Sequence, residues 1–236
     1  ASIRDMDTTS VTADEGGGGV FVYQVEDGGD FSASNCVFSG NSGMRGGAFG
    51  STWDYTITPY GTIHNCVFTN NVSLRQGGGL SIRVKVREPS RTQDDLFAIR
   101  NSLFAFNRTI GKADNGTSIG DSNGGGILLV DYAPVTIENC TIVSNVTAHT
   151  SSGGLHMPWN GRVVNCIVAY NLKSDGTAQE TINWSTTYGA TFNNVCSWPG
   201  TKNVLTEANG CINADPKFTD PAHGDFTLKS GSPCLN

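Results

Sequence analysis

Three basic side chains alternate with apolar ones in one short segment and could bind an acidic ligand. They are Arg83, Lys85 and Arg87, and valines separate them. In a β-strand, this alternation turns all three basic side chains to one face. Such a ridge could neutralise the carboxylates of an acidic polysaccharide, as in lyases that act on uronates. The alternative is a solvated face whose charges pair with nearby acidic residues.

Aromatic residues follow several of the glycine clusters by a few positions and could form a platform for sugar rings. They are Trp53, Tyr55, Tyr132 and Trp159. Aromatic side chains combine a large apolar face with a polar group, and they are common at recognition surfaces. The alternative is that these residues pack beneath loops and cover the edges of the fold.

We identify no catalytic residue in the sequence, and we expect no metal ion or cofactor. Asp94 and Asp95 are adjacent carboxylates in a predicted loop. Paired catalytic carboxylates act across about 5–9.5 Å, and adjacent sequence positions do not establish such a separation. The four histidines lack the spacing of metal ligands, and the glycine clusters precede strands, whereas phosphate-binding loops precede helices. Whether the chain is an enzyme is left open, with the balance against it.

The seven cysteines fall into two groups. One group consists of cysteines that directly follow a repeated asparagine: Cys36, Cys66, Cys140 and Cys166. We expect these to be buried, reduced thiols that behave as small apolar side chains. The others are Cys196, which we expect to point outward, Cys211 and Cys234. A disulfide among these three is expected in an oxidising compartment; the sequence leaves the pair open, and we favour Cys211 with Cys234.

One sequence motif recurs along the chain, and it determines the elements that must position these side chains. A copy begins with an asparagine, continues through apolar residues to a second asparagine, and in most copies ends at a glycine cluster. The first asparagines of the copies are Asn35, Asn65, Asn101, Asn139 and Asn165. Their intervals are unequal (30, 36, 38 and 26 residues), which a coil of short strands tolerates because extra residues leave as loops. Repeats of this length predict a solenoid.

Around each first asparagine, the apolar alternation predicts a bent strand with one buried face. The alternation shifts phase at the asparagine, and asparagine tolerates the left-handed backbone region that a bend requires. We predict three inward columns: Ile63, Ile99, Ile137 and Val163; Cys36, Cys66, Ser102, Cys140 and Cys166; Phe38, Phe68, Phe104, Ile142 and Val168. The first asparagines should stack amide on amide at the corner, in a hydrogen-bonded ladder.

These repeats resemble those of right-handed parallel β-helix proteins that bacteria secrete or carry on their surface. The combination of Phe-x-x-Asn with Gly-Gly-Ala is similar to the repeats of chlamydial polymorphic membrane proteins, over roughly residues 14–200. Residues 215–218, 224–228 and 231–234 resemble the closing segment of many secreted bacterial β-helix proteins. The resemblance implies an all-β, right-handed parallel β-helix of about six to seven coils.

The same resemblance implies a division of the chain and a location. Residues 1–13 would form an end segment, residues 14–200 the β-helix, and residues 201–236 an irregular closing segment. The protein would be secreted or lie at the cell surface of a bacterium.

The composition fits a packed all-β chain. Of 236 residues, 30 are glycine, 15% are charged and 37% are hydrophobic, which favours a packed core over disorder. The formal net charge of −6 argues against a nucleic-acid partner, which would favour a basic face. No apolar run approaches the about 20 residues of a membrane helix, so we predict no transmembrane segment.

The leading functional hypothesis is an extracellular structural or adhesive module. Solenoid ends without a cap expose strand edges that pair with other chains. We therefore expect self-association, head to tail into a filament, unless residues 1–13 fold across the first coil. The alternatives are a polysaccharide-active enzyme, as a lyase or hydrolase on acidic glycans, and a carbohydrate-binding module. A glycan or a cell-surface molecule would then be the partner.

Overall fold

Short strands and bends alternate along the chain because glycines and asparagines interrupt every apolar run. The computed structural model describes residues 2–4, 16–24, 30–53, 60–84, 97–111, 123–131, 135–148, 152–157, 161–176, 182–184, 190–199 and 209–235. Within these ranges the ordered elements are β-strands and one 3-10 turn, Pro221–His223. None of the elements found there is a helix long and apolar enough to cross a membrane.

The strands follow one another in a fixed cycle. The first are β1 (Ser2–Arg4), β2 (Val20–Gln24), β3 (Asp30–Ser34), β4 (Val37–Ser39), β5 (Ser42–Arg45), β6 (Phe49–Trp53), β7 (Tyr60–His64), β8 (Val67–Thr69) and β9 (Val72–Gln76). Next are β10 (Leu80–Val84), β11 (Phe97–Arg100), β12 (Leu103–Ala105), β13 (Arg108–Thr109), β14 (Ile127–Asp131), β15 (Val135–Glu138), β16 (Thr141–Val143), β17 (Val146–Thr147) and β18 (Leu155–Met157). The last are β19 (Gly161–Val164), β20 (Ile167–Ala169), β21 (Leu172–Lys173), β22 (Ile182–Trp184), β23 (Thr191–Asn193), β24 (Cys196–Trp198), β25 (Ile212–Asn213), β26 (Phe218–Asp220) and β27 (Asp225–Leu228).

Successive turns of the chain stack these strands into four parallel sheets. Sheet 1 has the order β1-β4-β8-β12-β16-β20-β24-β25, and sheet 2 has the order β2-β6-β10-β14-β18-β22. Sheet 3 has the order β3-β7-β11-β15-β19-β23, and sheet 4 has the order β5-β9-β13-β17-β21. Each strand therefore pairs with its counterpart in the previous and the next turn. This arrangement is a parallel β-helix, as the sequence predicts.

The predicted inward columns are confirmed, except that Cys36, in the first turn, is half-buried and was expected to be buried. Ile63, Ile99 and Ile137 lie opposite one another in sheet 3 and are fully buried. In sheet 1, the rings of Phe38, Phe68 and Phe104 stack with centroids 4.5 Å apart. Their interplanar angles are 3° and 5°. Burial of one such side chain contributes roughly 1.5–3 kcal/mol, so each turn is stabilised chiefly by its neighbours.

The predicted bend is also confirmed at the first asparagine of each copy. The φ angles lie between 49° and 54° at these positions: Asn35, Asn65, Asn101, Asn139 and Asn165. Asn194 continues the series with a φ of 52°. The left-handed residue turns the chain from sheet 3 into sheet 1, so the phase shift in the sequence marks this corner.

After β25 the chain leaves the stack and forms an antiparallel hairpin of β26 and β27. Phe218 of this hairpin packs with Ala105, Val143 and Ala169, which form a second apolar cluster on the outer face of sheet 1. Phe226 adds to it, with its ring centroid 5.7 Å from that of Phe106. The hairpin thus covers a lateral face of the solenoid.

Candidate functional site

The second asparagines of the repeats form a continuous ladder inside the protein. Its members are fully buried: Asn41, Asn71, Asn107, Asn145 and Asn171. The side-chain Nδ2 of each of the first four donates to the Oδ1 of the next member, at 2.9, 2.8, 2.9 and 3.0 Å. The backbone N–H of the donor residue reaches the same oxygen, at 3.0, 3.1, 2.9 and 2.9 Å. We call this set the buried amide ladder.

Four amides of this ladder, all except that of Asn41, also donate to the turn before them. Asn107 Nδ2 donates to the backbone oxygen of Phe68 at 2.9 Å, and Asn145 Nδ2 to that of Phe104 at 2.9 Å. One asparagine therefore joins three consecutive turns, with both amide hydrogens used and the oxygen accepting two bonds. Neutral amides satisfied in this way can be buried without the cost of an unpaired polar group. The ladder is a structural device, since its polar atoms are already occupied.

A fixed spacing in the sequence marks this ladder. The second asparagine follows the first by six residues in all five copies, for example at Asn35 and Asn41. The predicted amide stacking concerned the first asparagines, which the structure places at the exposed corner. There, Asn65 Nδ2 donates to Asn35 Oδ1 at 2.5 Å, whereas Asn101 Nδ2 bonds to His64 Nε2 at 3.0 Å.

The cysteines that follow the corner asparagines share one hydrogen-bonding pattern. Each thiol donates to the backbone oxygen two residues earlier: Cys36 to Ser34 at 3.2 Å, Cys66 to His64 at 3.3 Å, Cys140 to Glu138 at 3.2 Å and Cys166 to Val164 at 3.1 Å. Ser102 makes the same contact with Arg100, at 2.8 Å. Burial raises the pKa of the Cys66 and Cys140 thiols. Cys66 and Cys140 are thus held as neutral thiols of low reactivity.

The structure corrects the expected pairing of the C-terminal cysteines. Ile212 N–H donates to the Val195 backbone oxygen at 2.9 Å, which places Cys211 next to Val195 in the inward cysteine column. Cys211 is 1% exposed and belongs to the main core. Cys234 instead contacts Cys196. The favoured pair, Cys211 with Cys234, is therefore not the pair that the fold brings together.

Cys196 and Cys234 meet in an open cleft of about 580 Å³ at the junction of sheet 1 and the C-terminal segment. Cys196 lies in the outward column of β24, as predicted, but the closing segment covers it and leaves it 4% exposed. Its hydrogen bond to Cys234, more than burial, raises the pKa of the Cys196 thiol. The same bond lowers the pKa of Cys234 to about 7.

A second polar contact attaches the closing segment nearby. The hydroxyl of Tyr170 donates to Asp215 Oδ1, and the backbone N–H of Lys217 donates to the same oxygen at 2.8 Å. The bond from Tyr170, followed by that from Lys217, lowers the pKa of the Asp215 carboxyl. Burial, and then the contact with Asp215, raises the pKa of Tyr170. The ring of Tyr170 also packs on Phe218, with centroids 6.0 Å apart.

Most of the predicted glycan-binding residues lie outside the described residues. Arg83 in β10 is half-buried and alternates with the fully buried Ile82, as the strand pattern predicts. The backbone of Trp53 ends β6. The side chain of Trp53 lies outside the described part, and so do the residues Tyr55, Lys85, Arg87, Tyr132 and Trp159. The basic ridge and the aromatic platform therefore stay predictions.

The described residues contain no group of three or more His, Cys, Asp or Glu side chains that could hold a metal ion. Comparison with known proteins finds no match to a protein-family model, to a curated protein or to a solved structure.

Proposed function

We propose that the chain is an extracellular structural or adhesive β-helix module that associates end to end with further copies of itself. The main support for this proposal is the position of the exposed apolar residues. Within the described ranges, the exposed large hydrophobic residues are Phe21, Tyr23 and Leu235, with exposed fractions of 40%, 53% and 55%. Phe21 and Tyr23 lie on β2, the first strand of sheet 2. Leu235 follows Cys234, which contacts Cys196 in the last turns of sheet 1.

The strand edges support the same proposal. Sheets 2, 3 and 4 begin at β2, β3 and β5 and end at β22, β23 and β21, whereas β1, which comes from residues 1–13, pairs with β4 and covers the first edge of sheet 1. A copy stacked head to tail keeps every strand direction, so it can continue each ladder in the parallel sense. The hairpin β26–β27 packs on the side of sheet 1, so it does not compete for those edges. A contact of this heterologous type propagates unless it closes into a ring.

The resemblance of the repeats to bacterial surface proteins supports a location outside the cell, in the manner of the chlamydial polymorphic membrane proteins. The interior supports a structural role. Its polar positions in the buried amide ladder bind one another. These positions thus have no spare donors or acceptors for a substrate.

Electron microscopy and light scattering of the purified chain over a concentration series test the proposal. We expect particles that lengthen with concentration into filaments whose axial repeat equals one solenoid. A chain that stays monomeric over the whole range contradicts the proposal. The polysaccharide alternatives would then be tested next, by glycan cleavage and binding with an alanine variant of Arg83, Lys85 and Arg87.

A matched pair of variants locates the contact. Phe21→Lys with Tyr23→Lys places two charges at the first strand, where apolar contact with another copy is proposed. Thr62→Lys with Ala222→Lys adds the same charge at two exposed lateral positions. We expect the first variant to raise the concentration needed for assembly by about tenfold or more, and the second to leave it unchanged. Equal effects of the two variants would place the contact away from β2.

A further inference from the structure

Two cysteines from distant parts of the sequence meet where the C-terminal segment crosses sheet 1. Cys196 and Cys234 line the same cleft, although they lie far apart in the sequence. Each cysteine also makes a hydrogen bond to a neighbouring residue. Cys196 Sγ also donates to the backbone oxygen of Ala214 at 3.2 Å, and the Cys234 N–H donates to Ser232 Oγ at 3.1 Å.

We propose that Cys196 and Cys234 form an intramolecular disulfide bond that fastens the C-terminal segment to the outer face of sheet 1.

The other cysteines differ from this pair in environment. Cys66, Cys140 and Cys166 are each 1% exposed inside the solenoid. Their thiols are held in parallel by bonds to backbone oxygens, and stacked side chains that point the same way fit the geometry of a disulfide poorly. Cys211 belongs to this inward column as well. Cys196 and Cys234, by contrast, approach each other from two different segments and line the same open cleft.

The cleft also allows a small oxidant to reach the two thiols. Cys234 is half-buried, and the lowered pKa of its thiol favours the thiolate that starts the exchange. The Cys234 thiolate attacks a low-molecular-weight disulfide such as oxidised glutathione, which forms a mixed disulfide and releases one thiolate. The Cys196 thiol then loses its proton to the released thiolate and attacks the Cys234 sulfur, which expels the second thiolate. In total, two protein thiols lose two electrons and two protons, and one small disulfide becomes two thiols.

The bond would close a loop that contains β25 and the hairpin of β26 and β27. Outside this loop, the closing segment is attached by the apolar cluster around Phe218 and by the contact between Tyr170 and Asp215. A covalent link reduces the number of conformations that the segment can adopt when it is detached from sheet 1. It should therefore reduce the population of the open segment by on the order of 100-fold.

Equilibration of the full chain with reduced and oxidised glutathione tests the inference, followed by alkylation of free thiols and mapping of linked peptides. We expect one link, between the peptides that contain Cys196 and Cys234, and hydrogen exchange in the hairpin that accelerates on the order of 100-fold when the link is reduced. A link from Cys211 to Cys234, or no link at an oxidising ratio of glutathione, would overturn the proposal. This mapping needs no variant, so a folding defect cannot obscure it.

Two serine variants provide the matched control. Cys211→Ser removes the rival partner at a column position where Ser102 already occurs, and the link should persist. Cys196→Ser removes the proposed partner, and no link to Cys234 should form. A link from Cys234 to Cys211 in the Cys196→Ser variant, at the rate of the unmodified chain, would contradict the assignment.

Discussion

At the scale of single residues, the two asparagines of each repeat have different roles although they are the same amino acid. Asn101 is exposed and has a φ of 49°. Its role is to adopt the left-handed backbone conformation, which asparagine tolerates. Asn107 is fully buried, so its value lies in its amide. Its Nδ2 donates to Phe68 and to Asn145, and its Oδ1 accepts from the backbone and the side chain of Asn71.

This difference predicts that the buried and the exposed asparagine respond differently to the same isosteric change. Asn107→Asp removes both amide donors and buries a carboxylate against two carbonyl-type oxygens, so we expect the free energy of unfolding to fall by about 3 kcal/mol or more. Asn101→Asp retains the left-handed tolerance at an exposed site, so we expect a change within about 1 kcal/mol. Denaturant unfolding of both variants measures the two values, and a similar loss in both would argue against the division of roles.

At the scale of elements, the glycine clusters have a role that goes beyond flexibility. Gly77 adopts a φ of 64°, which favours glycine. Its neighbour Gly78 is required for a different reason, the close approach of the next turn. A Cβ atom at Gly78 would lie 2.1 Å from the Gly125 backbone oxygen and 2.6 Å from the Arg108 nitrogen. Both contacts are with backbone, which cannot move aside as a side chain could.

The stacking of these glycines predicts a large effect of a single methyl group. We expect Gly78→Ala to lower the free energy of unfolding by about 3 kcal/mol or more, because adjacent turns must separate to admit it. Gly176→Ala is the matched control, since Gly176 has a φ of 79° and open space around its Cβ position. Its cost should be only the backbone strain, about 1–2 kcal/mol. If denaturant unfolding shows the control to be as damaging, strain rather than crowding would explain the clusters.

The closing hairpin should respond to pH through Asp215. A lowered pKa in the folded state means that this carboxyl stabilises the attached hairpin above its unfolded pKa of about 3.9, and that the contribution is lost as the pH falls through the lowered value. Tyr170 has a raised pKa, so its contribution is present below its unfolded pKa of about 10 and is lost as the pH rises above it.

Tyr170→Phe isolates the hydroxyl, because the ring that packs on Phe218 is kept. We expect the hairpin to open more readily in this variant at neutral pH, and the acid dependence of opening to become shallower, since the bond from Lys217 to Asp215 remains. Hydrogen exchange of the β26 and β27 amides, corrected for the intrinsic pH dependence, measures both effects. An acid dependence identical to that of the unmodified chain would show that Tyr170 does not hold the carboxylate.

At the scale of the whole molecule, the features that repeat within the sequence were predictable and those that join distant segments were not. The corner at Asn65 and the stacking of Phe68 depend on local spacing, which every copy restates. The burial of Asn71 arises only after turns stack, because an isolated repeat would leave that amide in water. The contact of Cys196 with Cys234 depends on the path of the hairpin, which no repeat encodes.

A signal for the hairpin was nevertheless present in the sequence. Ala105, Val143 and Ala169 follow the inward residues of their strands and must face outward, yet they are apolar. Three apolar residues in register on an outer face indicate that something covers them. The partners, Phe218 and Phe226, lie in a segment that has no copy of the repeat. The sequence therefore predicts that some segment packs on these residues, but it does not predict which side chains of that segment do so.

The stacked architecture predicts where assembly should change backbone protection. In β2, the backbone N–H of Val20 bonds to the Ala48 oxygen in the next turn. Because residues of a parallel strand alternate in direction, the N–H groups of Phe21 and Tyr23 point to the opposite side, towards the first edge of sheet 2. If a second copy continues the ladder there, these two amides should exchange slowly in concentrated samples and quickly in dilute ones, while that of Val20 is protected in both.

Residue-resolved hydrogen exchange at two concentrations measures this contrast, with Val20 as the control within the same strand. A loss of the contrast in the variant Phe21→Lys with Tyr23→Lys, but not in Thr62→Lys with Ala222→Lys, would tie the protection to the apolar end. Protection that rises equally at Val20 and Tyr23 would indicate general stabilisation. A further outcome is that filaments form while exchange at Tyr23 does not change with concentration. That result would show that the strand ladders end within each chain, and that the copies meet through side chains or another surface.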